Sequence, residues 1–480
     1  MDVEQRGDAD EAQGELDDLK VQTPKETKDL KVLIDEKHER MLADLQKEEW
    51  YHGCLPYEDI VGLLKNGGDF LLRELEPEGD RMAMPCVTVK SSKILDYPVH
   101  CLNIASDRIY TIDGTNKNKD VMDLVKYHHA TGTPVDEHVK LINPVPKQPW
   151  ELTSDKITLV SKIGAGAFGE VWQGWLVTAT GKPPVDVAIK VTKVSDENKA
   201  KMDEMHKEAR LMRQYKHRNI VTFYGIVVKS LDSVMIVMEM IQGGGLDHHL
   251  QNNPNIDNKD KIGYAIDVAL GLVYLHSKGC MHRDIACRNC LIDLKKNVVK
   301  ISDFGLSKQA ESYSIRPDEK LPIRWQAPEV ITTRIYTMKC DVYSYAIFLW
   351  EVFNNGQKPF AGMDNKTVRE NVSNPKFRPV IDPTWPVVVL RVMRTCWRGD
   401  PKRRPQMAQV ARFLIHADPE SLKPAQSVKM VADRKKATLR ALSSLKQKSK
   451  IDREQLCSDK QGSLRRPRSK TKGRKVKSQR

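Results

Sequence analysis

Asp284 and Asn289 stand five residues apart in His282-Arg-Asp-Ile-Ala-Cys-Arg-Asn289. At that spacing a carboxylate can take a hydroxyl proton while an amide holds a metal ion on phosphates. Other segments extend the same chemistry. Gly164-Ala-Gly166-Ala-Phe-Gly169 follows a strand-like stretch through Ile157, Leu159 and Ile163. Glycines there let backbone amides approach phosphate oxygens closely. Alone, such a loop equally suits a dinucleotide-binding turn. Here Val187-Ala-Ile-Lys190 comes next, a strand ending in an ammonium suited to phosphates. Glu208 lies in the helical run His206–Met212 and can pair with Lys190, while Asp303 adds a second carboxylate for a metal. Together these groups suit transfer of a phosphoryl group to a hydroxyl.

The elements that must position them form a long mixed α/β stretch, residues 157–416, strand-rich at first and helical later. Residues 50–145 read as a separate compact domain. Residues 146–156 begin within a Pro-rich run, Asn143-Pro-Val-Pro-Lys-Gln-Pro149, which predicts a stiff extended linker. Residues 1–49 are acidic and residues 417–480 basic, and both are expected to be mostly disordered. Leu30, Leu33, Ile34, Met41, Leu42 and Leu45 mark a short amphipathic helix leading into residues 50–145.

The ordered motifs resemble those of protein kinases across residues 157–416. The resemblance implies a bilobal fold using ATP and Mg²⁺, with Asp284 as catalytic base and Asn289 and Asp303 as metal ligands. Lys190, held by Glu208, would position the phosphates. Ile163, Gly164, Gly166 and Phe168 would cover the nucleotide, with Gly169, Val171 and Ala188 beneath. Met238 would be the gatekeeper behind adenine, and the backbone of Glu239 and Met240 would hydrogen-bond it. Ala286, Arg288 and Pro322-Ile-Arg-Trp325 match the tyrosine-kinase pattern, which makes Arg288 a catalytic-loop residue that helps place the acceptor. Asp341 resembles the Asp that braces the catalytic loop, and Arg404 resembles the partner of Glu329 in Ala327-Pro-Glu329. Tyr313 is the only Tyr between Asp303 and Glu329, and Arg283 precedes Asp284, so autophosphorylation of Tyr313 is expected to raise activity.

Trp50-Tyr-His-Gly53 and Gly68-Asp-Phe-Leu-Leu-Arg73-Glu74 are similar to an SH2 domain. An Arg in an apolar strand needs an anionic partner, and a phosphate suits a guanidinium. The resemblance assigns phosphotyrosine binding to Arg73 and His100. Tyr57 stands where many such domains have a second Arg, Leu75 replaces a hydroxyl residue, and Glu76, Glu78 and Asp80 are acidic. Weakened phosphopeptide binding follows, and a larger role as a platform on the kinase. The full pattern is similar to the Fes/Fer group of non-receptor tyrosine kinases, in a short SH2–kinase form like those of nematodes. The resemblance thus implies a cytoplasmic non-receptor tyrosine kinase acting on protein tyrosines, the alternative being a pseudokinase-like SH2–kinase scaffold. The expected fold is multidomain α+β: an SH2 domain, with a central antiparallel sheet flanked by two helices, followed by a bilobal protein kinase fold.

Composition excludes other classes. No apolar run reaches the length of a membrane-spanning helix, and the acidic N-terminus lacks the signature of a signal peptide. The nine Cys include one C-x-x-C, Cys287 and Cys290, with no second ligand pair at zinc spacing. The net charge of +14 is concentrated at the C-terminal end, where residues 421–480 hold 20 Lys and Arg against 4 Asp and Glu. Such a tail suits a solvated segment, anionic membrane contact, or nuclear entry with nucleic-acid contact. Without aromatic residues it is poorly suited to base stacking.

Overall fold

The computed structural model describes residues 40–75, 84–104, 107–166, 169–179, 181–193, 199–230 and 233–424. Phe168, the acidic loop residues Glu76, Glu78 and Asp80, and residues 425–480 of the basic tail lie outside the described residues, as do residues 1–39. The chain divides into two compact units, one running to Ile241 plus Phe304–Ser307, the other comprising Gln242–Asp303 and everything from Lys308.

The first unit begins with helix α1 (Tyr57–Leu63) and strands β1 (Asp69–Glu74), β2 (Pro85–Lys90) and β3 (Ile94–Pro98). Strands β4 (His100–Ile104) and β5 (Asp107–Thr111) form a separate ribbon. Helix α2 (Val121–Thr131) and the short β6 (Asn143–Pro144) follow. The sheet order is β3-β2-β1-β6, antiparallel except at β6. Alternation along β1 serves two cores. Phe70 and Leu72 pack with Val121, Leu124 and Val125 of α2, while Leu71 packs with Ile60 of α1 and with Leu64. A helix therefore covers each face. Asp120 caps α2 by accepting from Asp123 N, and Gly132 ends it in the left-handed conformation. Leu45, from a helix at residues 40–45, is buried in the α2-side core, so the core reaches back before Trp50.

Five strands follow within the same unit: β7 (Ile157–Gly166), β8 (Gly169–Leu176), β9 (Val185–Lys193), β10 (Phe223–Ser230) and β11 (Ser233–Glu239), in the order β10-β11-β9-β8-β7. Helix α3 (Lys199–Met212) packs beside them. The linker expected to act as a spacer is tied to this sheet. Leu152 N donates to Ile226 O, and Ile226 N donates to Trp150 O.

The second unit is mainly helical. It holds α4 (Leu246–Asn252), α5 (Asn258–Ser277), the short strands β12 (Cys280–Met281), β13 (Cys290–Asp293) and β14 (Val298–Ile301), then β15 (Lys308–Gln309) and β16 (Ser312–Ser314). Helix α6 (Pro328–Thr333), β17 (Ile335–Thr337) and α7 (Met338–Phe353) come next. Every residue of α7 from Cys340 to Phe353 is buried, so this helix is the central post of the unit. No described helix is long and apolar enough to cross a membrane.

Candidate active site

In the first unit, pairing across three strands brings predicted residues into register. Val171 lies opposite both Gly164 and Lys190, and Ala188 lies opposite Met238. Because side chains alternate, Val171, Ala188, Lys190 and Met238 share one face of the sheet. Ile163 is exposed near the β7–β8 turn. The turn itself closes between Gly166 and Gly169. Gly169 has φ +128°, and a Cβ there would meet Val191 O at 2.3 Å, so no side chain fits. Lys190 Nζ donates to Glu208 Oε2 at 2.7 Å, with both side chains buried. The Glu239 carboxylate accepts from Thr222 N at 2.7 Å and Thr222 Oγ1 at 3.0 Å, which anchors the strand end before Met240.

In the second unit, Asp284 is held by its own loop. Its Oδ2 accepts from Asn289 Nδ2 at 2.8 Å, and its Oδ1 accepts from Arg288. The Arg288 guanidinium also lies 4.1 Å over the Trp325 ring. Asn289 Nδ2 further donates to Asp284 O at 2.8 Å. That spends the amide nitrogen on the loop and leaves the Asn289 carbonyl oxygen as the end a cation would take. Ser302 N donates to Asn289 O at 2.8 Å, which ties the loop to the residue preceding Asp303. Arg283 and Asp303 both adopt positive φ, at 72° and 61°. Non-glycine residues hold such conformations only where their surroundings impose them, and these cluster at functional sites.

Asp341 imposes the first of them. Fully buried, it accepts from His282 N and Arg283 N, each at 2.9 Å, from Tyr336 OH at 2.9 Å, and pairs with His276 Nε2 at 3.0 Å. Burial alone would raise its carboxyl pKa, but the bonds from His276 and the Arg283 backbone carry it below the ordinary range. Arg404 grips Glu329 in bidentate fashion at 2.5 and 2.7 Å, the pair predicted from sequence. Cys287 and Cys290 are buried thiols whose pKa values burial pushes well up, and no metal cluster forms among the described residues.

Tyr313 lies in β16, opposite Tyr336 of β17. Its hydroxyl donates to Glu319 Oε2 at 2.9 Å, and Arg283 Nη2 donates to Glu319 Oε1 at 2.5 Å. Arg283 also lies 4.5 Å over the Tyr313 ring. Glu319 thus stands at the guanidinium where a phosphate was expected to dock, a role that sequence reasoning missed.

The N-terminal domain distributes its predicted residues differently. Arg73 is buried in β1, with Nε donating to Thr88 Oγ1 at 2.9 Å and Nη2 to Asp96 Oδ2 at 2.8 Å. His100 is exposed at the start of β4, on the separate ribbon, and lies opposite Thr111. The carboxylate that pairs with Arg73 is that of Asp96. Tyr57 is exposed at the first turn of α1, while Asp59, two residues on, is buried under Arg210 and Arg213 of the α3 region.

The family described as protein tyrosine and serine/threonine kinase matches residues 157–414. Fer-related kinase 1 of Caenorhabditis elegans is 32% identical over 374 residues, covering 77% of this chain and 94% of that protein. Human tyrosine-protein kinase Fer is 33% identical over 77% of this chain and 44% of its own length. The transforming protein Fps of avian sarcoma virus (strain PRCII) is 34% identical over 78% of this chain and 69% of its own. A kinase domain of this kind uses ATP and a divalent metal, and the oxygen donors of Asn289 and Asp303 suit a hard cation. With its paired Lys190 and Glu208, its braced Asp284 loop and these relatives, the chain belongs to the protein kinase family, in the Fer/Fps group.

Proposed function

We propose that the chain is a protein-tyrosine kinase that moves the γ-phosphate of ATP to tyrosine hydroxyls of protein substrates. The observation that carries this reading is Arg288, which donates to Asp284 and stacks on Trp325. A Ser/Thr-type loop would place a Lys at position 286, yet Ala286 is buried and offers no charge. A tyrosine hydroxyl lies farther from its backbone than a serine hydroxyl, so its acceptor platform must stand back, and Pro322 and Trp325 suit that surface. Asp284 takes the hydroxyl proton and aims the oxygen, and Asn289 fixes the carboxylate's direction. Mg²⁺ held by Asn289 and Asp303 would offset phosphate charge during transfer. Lys190, oriented by Glu208, does the same for the α- and β-phosphates.

The sheet domain ahead of the kinase is read as an SH2 domain on its Trp50-Tyr-His-Gly53 motif, its buried Arg73 and its helix on each sheet face. We further infer cytoplasmic work, with the basic tail touching anionic membrane surfaces or nucleic acid, on the charge of residues 421–480.

The test is purified protein with Mg-ATP and a peptide library holding Tyr, Ser and Thr acceptors, beside Asp284→Ala. The expected result is phosphotyrosine alone, lost in the variant. Phosphoserine as the main product, or tyrosine phosphate that survives the substitution, overturns the reading.

A further inference from the structure

Arg73 lies in a strand whose six residues are all buried, and its side chain is only 11% exposed. A guanidinium there must be neutralised by an acceptor set, and the structure supplies one from within the domain. The cross-strand register aligns Leu71 of β1, Thr88 of β2 and Asp96 of β3 in one row. Arg73, two residues past Leu71, projects from the same face of the sheet. The Asp96 carboxylate uses both oxygens. Oδ2 accepts from Arg73 Nη2 at 2.8 Å, and Oδ1 accepts from Thr88 Oγ1 at 2.6 Å. Thr88 Oγ1 in turn accepts from Arg73 Nε at 2.9 Å, which closes a three-membered network. Guanidinium and hydroxyl donors on one sheet face form a cradle for a tetrahedral anion. Here a carboxylate of the same chain sits in it.

We infer that Asp96 is a specificity-determining residue, an internal carboxylate that fills the Arg73 pocket and excludes phosphotyrosine ligands. This inference rests on the SH2 reading above. An incoming phosphate dianion would have to evict Asp96 and then remain beside its like charge on β3, two strands from β1. One guanidinium cannot satisfy both. The Asp96 side chain is 35% exposed, so solvent reaches the pair and the lock opens when the carboxylate is removed. A tethered carboxylate competes at an effective concentration in the millimolar range or above.

The experiment uses the full chain, without ATP, and measures binding of a degenerate phosphotyrosine peptide pool and of phenyl phosphate by calorimetry. Four proteins are compared: wild type, Asp96→Ala, the near-isosteric Asp96→Asn, and Asp96→Ala combined with Arg73→Ala. Thermal unfolding and circular dichroism check each fold, and Asp96→Asn serves if Asp96→Ala does not fold. Expected is a gain of at least about tenfold in phosphotyrosine affinity on removing the carboxylate, abolished by the added Arg73→Ala change. Tight wild-type binding that depends on Arg73 and is unchanged by Asp96→Ala overturns the lock while preserving the SH2 reading. A folded Asp96→Ala protein that binds neither probe overturns the lock together with the phosphotyrosine reading.

Discussion

Asp59→Ala removes the group on which the N-terminal domain grips helix α3. The Asp59 side chain is 5% exposed and takes three hydrogen bonds: from Arg210 Nε at 3.2 Å, Arg210 Nη2 at 2.9 Å and Arg213 Nη2 at 3.1 Å. That bond to Asp59 leads the forces holding the Arg210 guanidinium above its ordinary pKa, ahead of an opposing burial effect. Arg213 is also stacked on Trp150, 4.1 Å from the ring centre. A hydrogen bond to a charged group contributes roughly 1.5–3 kcal/mol. The two arginines, 25% and 29% exposed, can recover part of that from water. Discounted for this screening, the loss should be about 2–4 kcal/mol. Arg210 lies two residues after Glu208 on α3, and Glu208 holds Lys190. Loosening this end of the helix should therefore reach Lys190.

The assay is urea unfolding of the full chain together with kcat/KM on a tyrosine peptide, for wild type, Asp59→Ala, Arg210→Ala and the double variant. Asp59→Ala should lower stability by the stated amount and reduce kcat/KM severalfold, with KM for ATP raised. The double variant should cost clearly less than the two singles summed, because they share one contact. Unchanged stability and activity in Asp59→Ala, or strictly additive losses, would refute the reasoning.

Phosphorylation of Tyr313 should displace Glu319 from Arg283 by charge repulsion and place its own phosphate on that guanidinium. Wild type pre-incubated with ATP should then turn over faster than Tyr313→Phe, and equal rates would contradict the regulatory role. Glu351 offers a pH test. Its fully buried carboxyl accepts from Cys287 N at 3.0 Å, and burial pushes its pKa from the ordinary 4.5 up to about 8. The folded state thus binds this proton more tightly than the unfolded state, so stability is fully present below pH 4.5 and is lost as pH rises through about 8. Glu351→Gln keeps the acceptor without the charge and should flatten this dependence, removing up to about 4 kcal/mol of variation. Unfolding curves at pH 5, 7 and 8.5 read it directly, and identical slopes for both proteins would show that Glu351 does not titrate in this range.

Legibility tracked distance along the chain. The Asp284–Asn289 contact is set by a loop five residues long, and its polar chemistry admits few alternatives, so spacing alone revealed it. Lys190 and Glu208 were readable because a strand and the next helix flank a short connection, and an isolated buried charge needs a partner. Arg404 and Glu329, 75 residues apart, became readable only through family resemblance.

The kinase family and the candidate catalytic residues were legible in the sequence itself, because residue type and short spacing suffice for that. What occupies the pockets was decided only by tertiary structure. Asp96 meets Arg73 because β2 and β3 pair in one register, and a slip of one residue would turn that carboxylate to the other sheet face. Asp59 meets Arg210 across 151 residues, and Glu319 meets Arg283 across 36. Each is an acidic residue on an ordinary polar stretch, with nothing nearby in sequence to mark its partner. Burial gives these pairs their energy, and burial is a property of the folded chain.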